Sequence, residues 1–248
     1  MGTLAGKVSI VTGASKGIGA AIAKAFAAEG ASVVLNYASD QQGADAVVAE
    51  IGKSGGKAIA VRSDVSKAGG AQEIIDAALK NFGRVDVLVN NAGIYEFAPI
   101  ESVDDEHFHR SFNINVLGLL LTTKAAVKHM QPGASIINIS SVATSTTPPN
   151  SAVYSGTKGA VETITGVLAR ELGPRQIRVN ALTPGFVDTE GTRTAGIVGS
   201  DFWNDGVQAT PLGRAGKPSD IASVAVFLAS NSAAWLTGEL LKASGGLR

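Results

Sequence analysis

The sequence predicts an α/β fold: a doubly wound parallel sheet of about seven strands with helices on both faces, built as one domain over residues 1–248. Three observations predict it. Short, continuously apolar runs recur along the chain, as expected of strands buried on both sides. Helical stretches alternate with these runs at regular intervals. The first run ends in a glycine-rich turn that opens straight into an alanine-rich helix. Composition agrees, because hydrophobic residues make up 45% of the chain and charged residues only 17%.

Val8–Thr12 is the first strand, and Gly13–Gly19 is the turn, with spacing G-x-x-x-G-x-G. The helix from Ala20 to Glu29 is stopped by Gly30. Glycines at such a turn let the backbone approach a pyrophosphate at a helix N-terminus, although an ordinary strand–helix turn can also be glycine-rich. Ser32–Tyr37 is the second strand, 40–51 the next helix, and Lys57–Arg62 the third strand. A helix near 70–82 leads to the fourth strand, Val85–Asn90, closed by Asn91-Ala92-Gly93 at the edge where open α/β sheets place ligands. A long helix is expected over 102–130, with Asn113 and Asn115 inside it. Asparagine competes for backbone hydrogen bonds, so taken alone each reads as a local polar contact. Ala134–Ser141 is the fifth strand and 142–150 a loop. The helix 152–173 precedes the sixth strand, Ile177–Leu182, which ends in Thr183-Pro184-Gly185. Periodicity then lapses over 186–212, a length typical of a functional lid. A helix over 218–229 and a strand at 239–243 close the chain.

Lys+Arg and Asp+Glu both number 21, which gives no reason to expect nucleic acid or an anionic membrane as partner. The absence of cysteine excludes thiol nucleophiles and thiolate metal sites. His107 and His109 fall about 200° apart on a helix, His129 lies elsewhere, and no metal is expected. No apolar stretch reaches the ~18–20 residues of a membrane span. The first seven residues lead directly into a strand, leaving no room for a cleavable signal, so a cytoplasmic location is expected.

Tyr154 and Lys158 stand four apart at the start of a helix, which places both side chains on one face. A phenol that titrates near ~10 in water shifts toward the phenolate beside an ammonium, which makes a tunable proton donor. On spacing alone, the pair fits a solvated helix face as readily as a catalytic one.

Taken together, Thr12–Gly19 as T-G-x-x-x-G-x-G, Asn90–Gly93 as N-N-A-G, Ser141 ahead of Tyr154-x-x-x-Lys158, and Pro184-Gly185 resemble the short-chain dehydrogenase/reductase family, with its Rossmann-like fold, over the whole chain. The resemblance implies an oxidoreductase that interconverts a ketone and a secondary alcohol. It makes Tyr154 the general acid/base. Lys158 would lower the tyrosine pKa and hold the nicotinamide ribose. Ser141 would bind the substrate oxygen. Asn115, three residues before Gly118, would bend its helix and anchor a water in a proton relay, while Asn113 keeps a structural reading. For the cofactor it implies Gly13, Ser15, Lys16, Gly17, Ile18 and Gly19 around the phosphates and ribose. Asp64 and Val65 would lie at the adenine, Asn91, Ala92 and Gly93 along the adenine-side ribose, and Pro184, Gly185, Val187 and Thr189 at the nicotinamide.

An NAD-specific site carries an acidic residue at the end of the second strand. Here that place holds Asn36-Tyr37-Ala38-Ser39, and Asp40 comes late enough to cap the next helix. With Lys16 available to a 2′-phosphate, NADP(H) is expected over NAD(H), with Asn36, Tyr37 and Ser39 among its contacts. Tyr95, Phe97, the 142–150 loop, Phe186, Phe202 and Trp203 are expected to meet a hydrophobic or medium-sized carbonyl substrate. The chain also resembles 3-oxoacyl-carrier-protein reductases and glucose 1-dehydrogenases, but 128–133 is less basic than carrier docking usually requires. A non-catalytic dinucleotide sensor would be expected to lose Tyr154 or Lys158. The family is typically homotetrameric, packing the helices near 102–130 and 152–173 against partner copies. Ser244 stands where relatives more usually have aspartate.

Overall fold

The computed structural model describes residues 2–248. In chain order its elements are β1 (Val8–Val11), α1 (Gly17–Ala28), β2 (Ser32–Tyr37), α2 (Gln41–Lys53), β3 (Lys57–Arg62), α3 (Ala68–Phe82), β4 (Val85–Asn90), α4 (Asp105–Phe112) and α5 (Gly118–Ala126). There follow β5 (Met130–Ile139), α6 (Ala143–Thr146), α7 (Ala152–Leu172), β6 (Arg178–Pro184), α8 (Glu190–Thr194), α9 (Asp201–Gln208), α10 (Pro218–Ala229) and β7 (Leu240–Ala243).

The seven strands form one sheet in the order β3-β2-β1-β4-β5-β6-β7, and every pairing is parallel. Strand side chains alternate between faces with period two. Val11, Val33 and Leu35 pack with α1, α2 and α10, whereas Ile10, Val34 and Ile136 pack with α3, α5 and α7. Full burial of each such side chain contributes about 1.5–3 kcal/mol, so apolar strand runs satisfy two cores at once. Winding outward from β1 in both directions leaves a crevice beyond the C-terminal ends of β1 and β4, where the strand order reverses.

The structure corrects several expected bounds. The first helix begins at Gly17, so the end of the glycine turn is already helical. The long helix expected over 102–130 is broken into a 3-10 turn at Ile100–Ser102, α4, a π turn at Asn113–Leu117 and α5, while Met130 starts β5. Asp104 starts α4 by accepting from His107 N at 2.8 Å. The π turn falls where the Asn115 side chain leaves its helix to bond a neighbouring loop. The 142–150 loop contains α6, and 186–212 contains α8 and α9. This last segment is pinned at its base, where Asp188 N donates to Gly216 O at 2.9 Å and Gly216 N to Phe186 O at 2.8 Å. No helix among the described residues is long and apolar enough to cross a membrane.

Candidate active site

A cavity of about 530 Å³ lies over the C-terminal ends of the strands. It brings together Gly13, Ser15, Lys16, Gly17, Ile18, Gly19, Asn36, Tyr37, Ser39, Asp64, Val65, Asn91, Ala92, Gly93, Ser141, Tyr154, Lys158, Pro184, Gly185, Val187 and Thr189. Asn115 lies outside it. It borders instead a space of about 10 Å³ behind Lys158, close to the room one water needs.

The glycine turn is held in shape by polar side chains from the next strands. Asn36 accepts from Gly13 N at 3.3 Å, and its amide donates to Ser63 O at 2.8 Å, so it braces the turn from beneath. Asn91 Nδ2 donates to Thr12 O and Gly13 O, both at 2.9 Å. Thr12 Oγ1 accepts from the backbones of Asn91 and Ala92. Gly19 is glycine because a Cβ there would stand 2.5 Å from both Asn91 Nδ2 and Gly13 O. Gly17 turns the chain into α1 at φ +60, a backbone region that favours glycine. The result is a glycine-lined backbone cradle at a helix N-terminus, which fits a phosphate group. Asn36 and Asn91, expected as cofactor contacts, thus spend their amides on the turn itself.

Other side chains at the expected site are similarly occupied. Asp40 caps α2 by accepting from Gly43 N at 3.0 Å, and Asp64 accepts from Ser66 N and Oγ at 2.9 and 2.7 Å. The Thr189 hydroxyl caps α8, accepting from Thr192 N at 3.1 Å. Val65 is buried, with its side chain against Gly118. Lys16 and Ser39 are exposed, which leaves the Lys16 ammonium free to reach into the cavity mouth.

Tyr154 and Lys158 lie one turn apart on α7, with Lys158 buried. Lys158 Nζ donates to Ile139 O at 2.8 Å and lies 5.9 Å from the centre of the Tyr154 ring. Burial lowers the Lys158 ammonium to about 8. Burial also pushes the Tyr154 phenol above its ordinary value; the Ser141 hydroxyl pulls it back and neighbouring Tyr95 pushes it further up. This departs from the expected depression of the phenol by Lys158. Both groups sit in a poorly solvated pocket, where the neutral form of each gains. Asn115 Oδ1 accepts from Ile94 N at 2.8 Å, and Nδ2 donates to Ile94 O at 2.9 Å and Thr157 Oγ1 at 3.0 Å. The Asn115 amide is therefore a clamp between the Asn-Ala-Gly turn and α7. The water-sized space also touches Asn90, whose Oδ1 is buried without a partner.

Two carboxylates at the site were not anticipated. Glu162 Oε1 accepts from Ser140 Oγ at 2.8 Å and Thr144 Oγ1 at 2.9 Å, tying α7 to both sides of Ser141. Its place one turn beyond Lys158 was visible in the sequence. Glu190 Oε2 accepts from Gly17 N at 3.1 Å across 173 residues, a contact that no local pattern announces. Ser244 Oγ donates to Leu247 O at 2.8 Å, closing the C-terminal turn.

This architecture has close counterparts. A family model described as Enoyl-(Acyl carrier protein) reductase matches residues 13–248. An uncharacterized oxidoreductase of Methylorubrum extorquens is 62% identical, covering 100% of both chains. A versicolorin reductase of Emericella nidulans is 39% identical over 98% of this chain and 96% of its own. A short-chain dehydrogenase of Burkholderia cenocepacia, solved in complex with NADP, superposes with a TM-score of 0.94 at 32% identity, covering 99% of each chain. With the glycine turn, the Tyr-x-x-x-Lys helix and the seven-stranded parallel sheet all in place, the chain belongs to the short-chain dehydrogenase/reductase family of oxidoreductases.

Proposed function

We propose that this chain is an NADP(H)-dependent carbonyl reductase that interconverts ketones and secondary alcohols. The observation that carries the reading is the convergence of Tyr154, Ser141 and Lys158 on the same cavity as the glycine turn. Pro184, Gly185, Val187 and Thr189 would hold a nicotinamide, which would supply hydride for the carbonyl carbon. Tyr154 gives its proton to the carbonyl oxygen, and Ser141 donates a hydrogen bond to that oxygen as negative charge develops. Ketone, NADPH and one proton thereby become secondary alcohol and NADP⁺. The phenol, pushed up by burial, stays protonated for this task. Lys158 would hold the nicotinamide ribose, and reprotonation of Tyr154 would run past Lys158 through a water in the space beside Asn90 and Asn115.

Preference for NADP(H) follows from the end of β2. Asp40 is committed to its helix cap, no other carboxylate follows Tyr37 there, and Lys16 is free to pair with a 2′-phosphate. A structural neighbour that holds NADP supports this choice, and a relative named as a reductase supports the reductive direction. The 186–212 segment acts as a substrate lid, and the working form is a homotetramer in the cytoplasm.

The test is an initial-rate screen of ketones, sugars and acetoacetyl thioesters, each with NADPH and NADH. The expected result is ketone turnover with higher kcat/KM for NADPH, and loss of turnover by about 10²-fold or more in Tyr154→Phe with NADPH binding retained. NADH preference, or turnover confined to acetoacetyl thioesters, would overturn the assignment.

A further inference from the structure

The part of the cavity beyond Tyr154 is walled by aromatic rings drawn from four separate stretches of chain. Phe97 follows the Asn-Ala-Gly turn, Tyr154 sits on α7, Phe186 follows β6, and Phe202 and Trp203 open α9. They touch in series. The Phe97 ring centre is 5.7 Å from that of Tyr154 and 6.2 Å from that of Phe202. Phe186 continues the line at 5.2 Å from Phe202 and 5.6 Å from Trp203. Every pair is inclined, from 58° to 84°, so no ring of the series lies flat on another. Inclined rings leave π-faces free to receive a further ring in offset or edge-on contact.

Core packing does not account for this wall. Phe97 and Phe202 are 40% and 43% exposed, while Trp203, at 7%, anchors α9 beneath them. The fit is built into the backbone as well, because a Cβ on Gly206 would stand 2.2 Å from the Phe186 ring. That ring occupies room which only a glycine leaves on α9.

Charge divides the cavity in the same way. Its charged lining residues other than Lys158 are Lys16, Asp40 and Asp64, in the turns after β1, β2 and β3. Lys158 itself donates to Ile139 O. The aromatic wall lies across the switch point, over the β4–β6 half of the sheet. It offers no cation for a phosphate-bearing acyl arm and no carboxylate for the hydroxyls of a sugar.

We propose that the substrate is an uncharged aryl ketone, its ring packed against the free faces of Phe97 and Phe202 and its carbonyl oxygen turned to Tyr154, with Phe97 the residue that selects the ring. This rests on the carbonyl-reductase reading above and adds to it the identity of the group beside the carbonyl. Phe97 has this role because, of the five rings, it alone touches both Tyr154 and Phe202.

The experiment compares two ketones of equal carbon count, acetophenone and cyclohexyl methyl ketone, with NADPH and the full chain. Wild type is expected to favour acetophenone by about tenfold in kcat/KM. Phe97→Leu, and independently Phe202→Leu, should bring that ratio close to one, chiefly by raising KM for acetophenone. Calorimetry on the NADP⁺-loaded protein should show benzamide, which is not reduced, binding more tightly than cyclohexanecarboxamide. Equal kcat/KM for the two ketones in wild type would overturn the aryl proposal and leave the carbonyl-reductase reading standing. A ratio unchanged in both leucine variants would overturn the role of Phe97. Failure of any ketone to turn over with either nicotinamide would overturn the underlying reading, and the aryl proposal with it.

Discussion

Lys158 is a charge kept where charge is costly. Its ammonium is buried and falls from an ordinary 10.5 to about 8. Between those values the unfolded chain binds a proton that the folded chain does not, so this residue makes stability rise with pH across that window. A gap of this size corresponds to on the order of 3 kcal/mol. The Tyr154 phenol, raised by burial, works the other way above pH 10. Wild type should therefore gain thermal stability relative to Lys158→Met between pH 8 and pH 10, as read from the difference in Tm. A difference that stays flat would show that the lysine is not desolvated. Glu162 poses a different test, because its carboxylate satisfies the hydroxyls of Ser140 and Thr144 on either side of Ser141. Removing it leaves the buried Ser140 hydroxyl and the half-buried Thr144 hydroxyl to find partners, at a cost of about 1–3 kcal/mol. Glu162→Ala should lower Tm and reduce kcat several-fold more than it changes KM for NADPH. Unchanged kcat would mean that Ser141 keeps its place without this tie.

Among the elements, α8 has the least expected contact. It carries Glu190 from the 186–212 segment onto Gly17 N, a donor at the N-terminus of α1. That donor is one a bound phosphate would use, so Glu190 would compete with a dinucleotide for it. Glu190→Gln should tighten NADPH binding several-fold in a fluorescence titration, with the gain shrinking at high salt. Weaker binding would show instead that the carboxylate supports the cradle. The contrast with the rest of the site marks what sequence can show. Strands, the glycine turn and Tyr154 with Lys158 were legible because each is a short-range pattern whose spacing has a direct geometric meaning. The roles of Asn36 and Asn91 were not, since each lies in an expected cofactor motif yet bonds backbone across strands. The break in the helix at Asn113–Leu117 was hidden for a similar reason. An apolar helical period runs through it, and only a tertiary bond from Asn115 to Ile94 accompanies the change of pitch.

At the scale of the whole molecule, two sets of exposed apolar residues lie outside the cavity lining. One spans α4, α5 and α7, where Phe108, Leu117, Leu120 and Val167 are exposed, Val167 by 51%. On α7 a Cβ at Gly159 or Gly166 would meet nothing within 4 Å, so a partner helix can approach that face closely. The other surface gathers Trp235, 98% exposed, with Phe227 and Leu240 around β7 at the edge of the sheet. A soluble monomer rarely exposes large apolar patches of this kind. Two patches that each close about their own two-fold axis would generate a tetramer of dihedral symmetry. Light scattering should then give four times the chain mass for wild type. Val167→Asp disables the first patch and Trp235→Asp the second, so each should halve that mass while the other interface persists. The double variant should run as a monomer. A wild-type chain that is monomeric at micromolar concentration would overturn the assembly, and a tetramer unaffected by both substitutions would place its interfaces elsewhere.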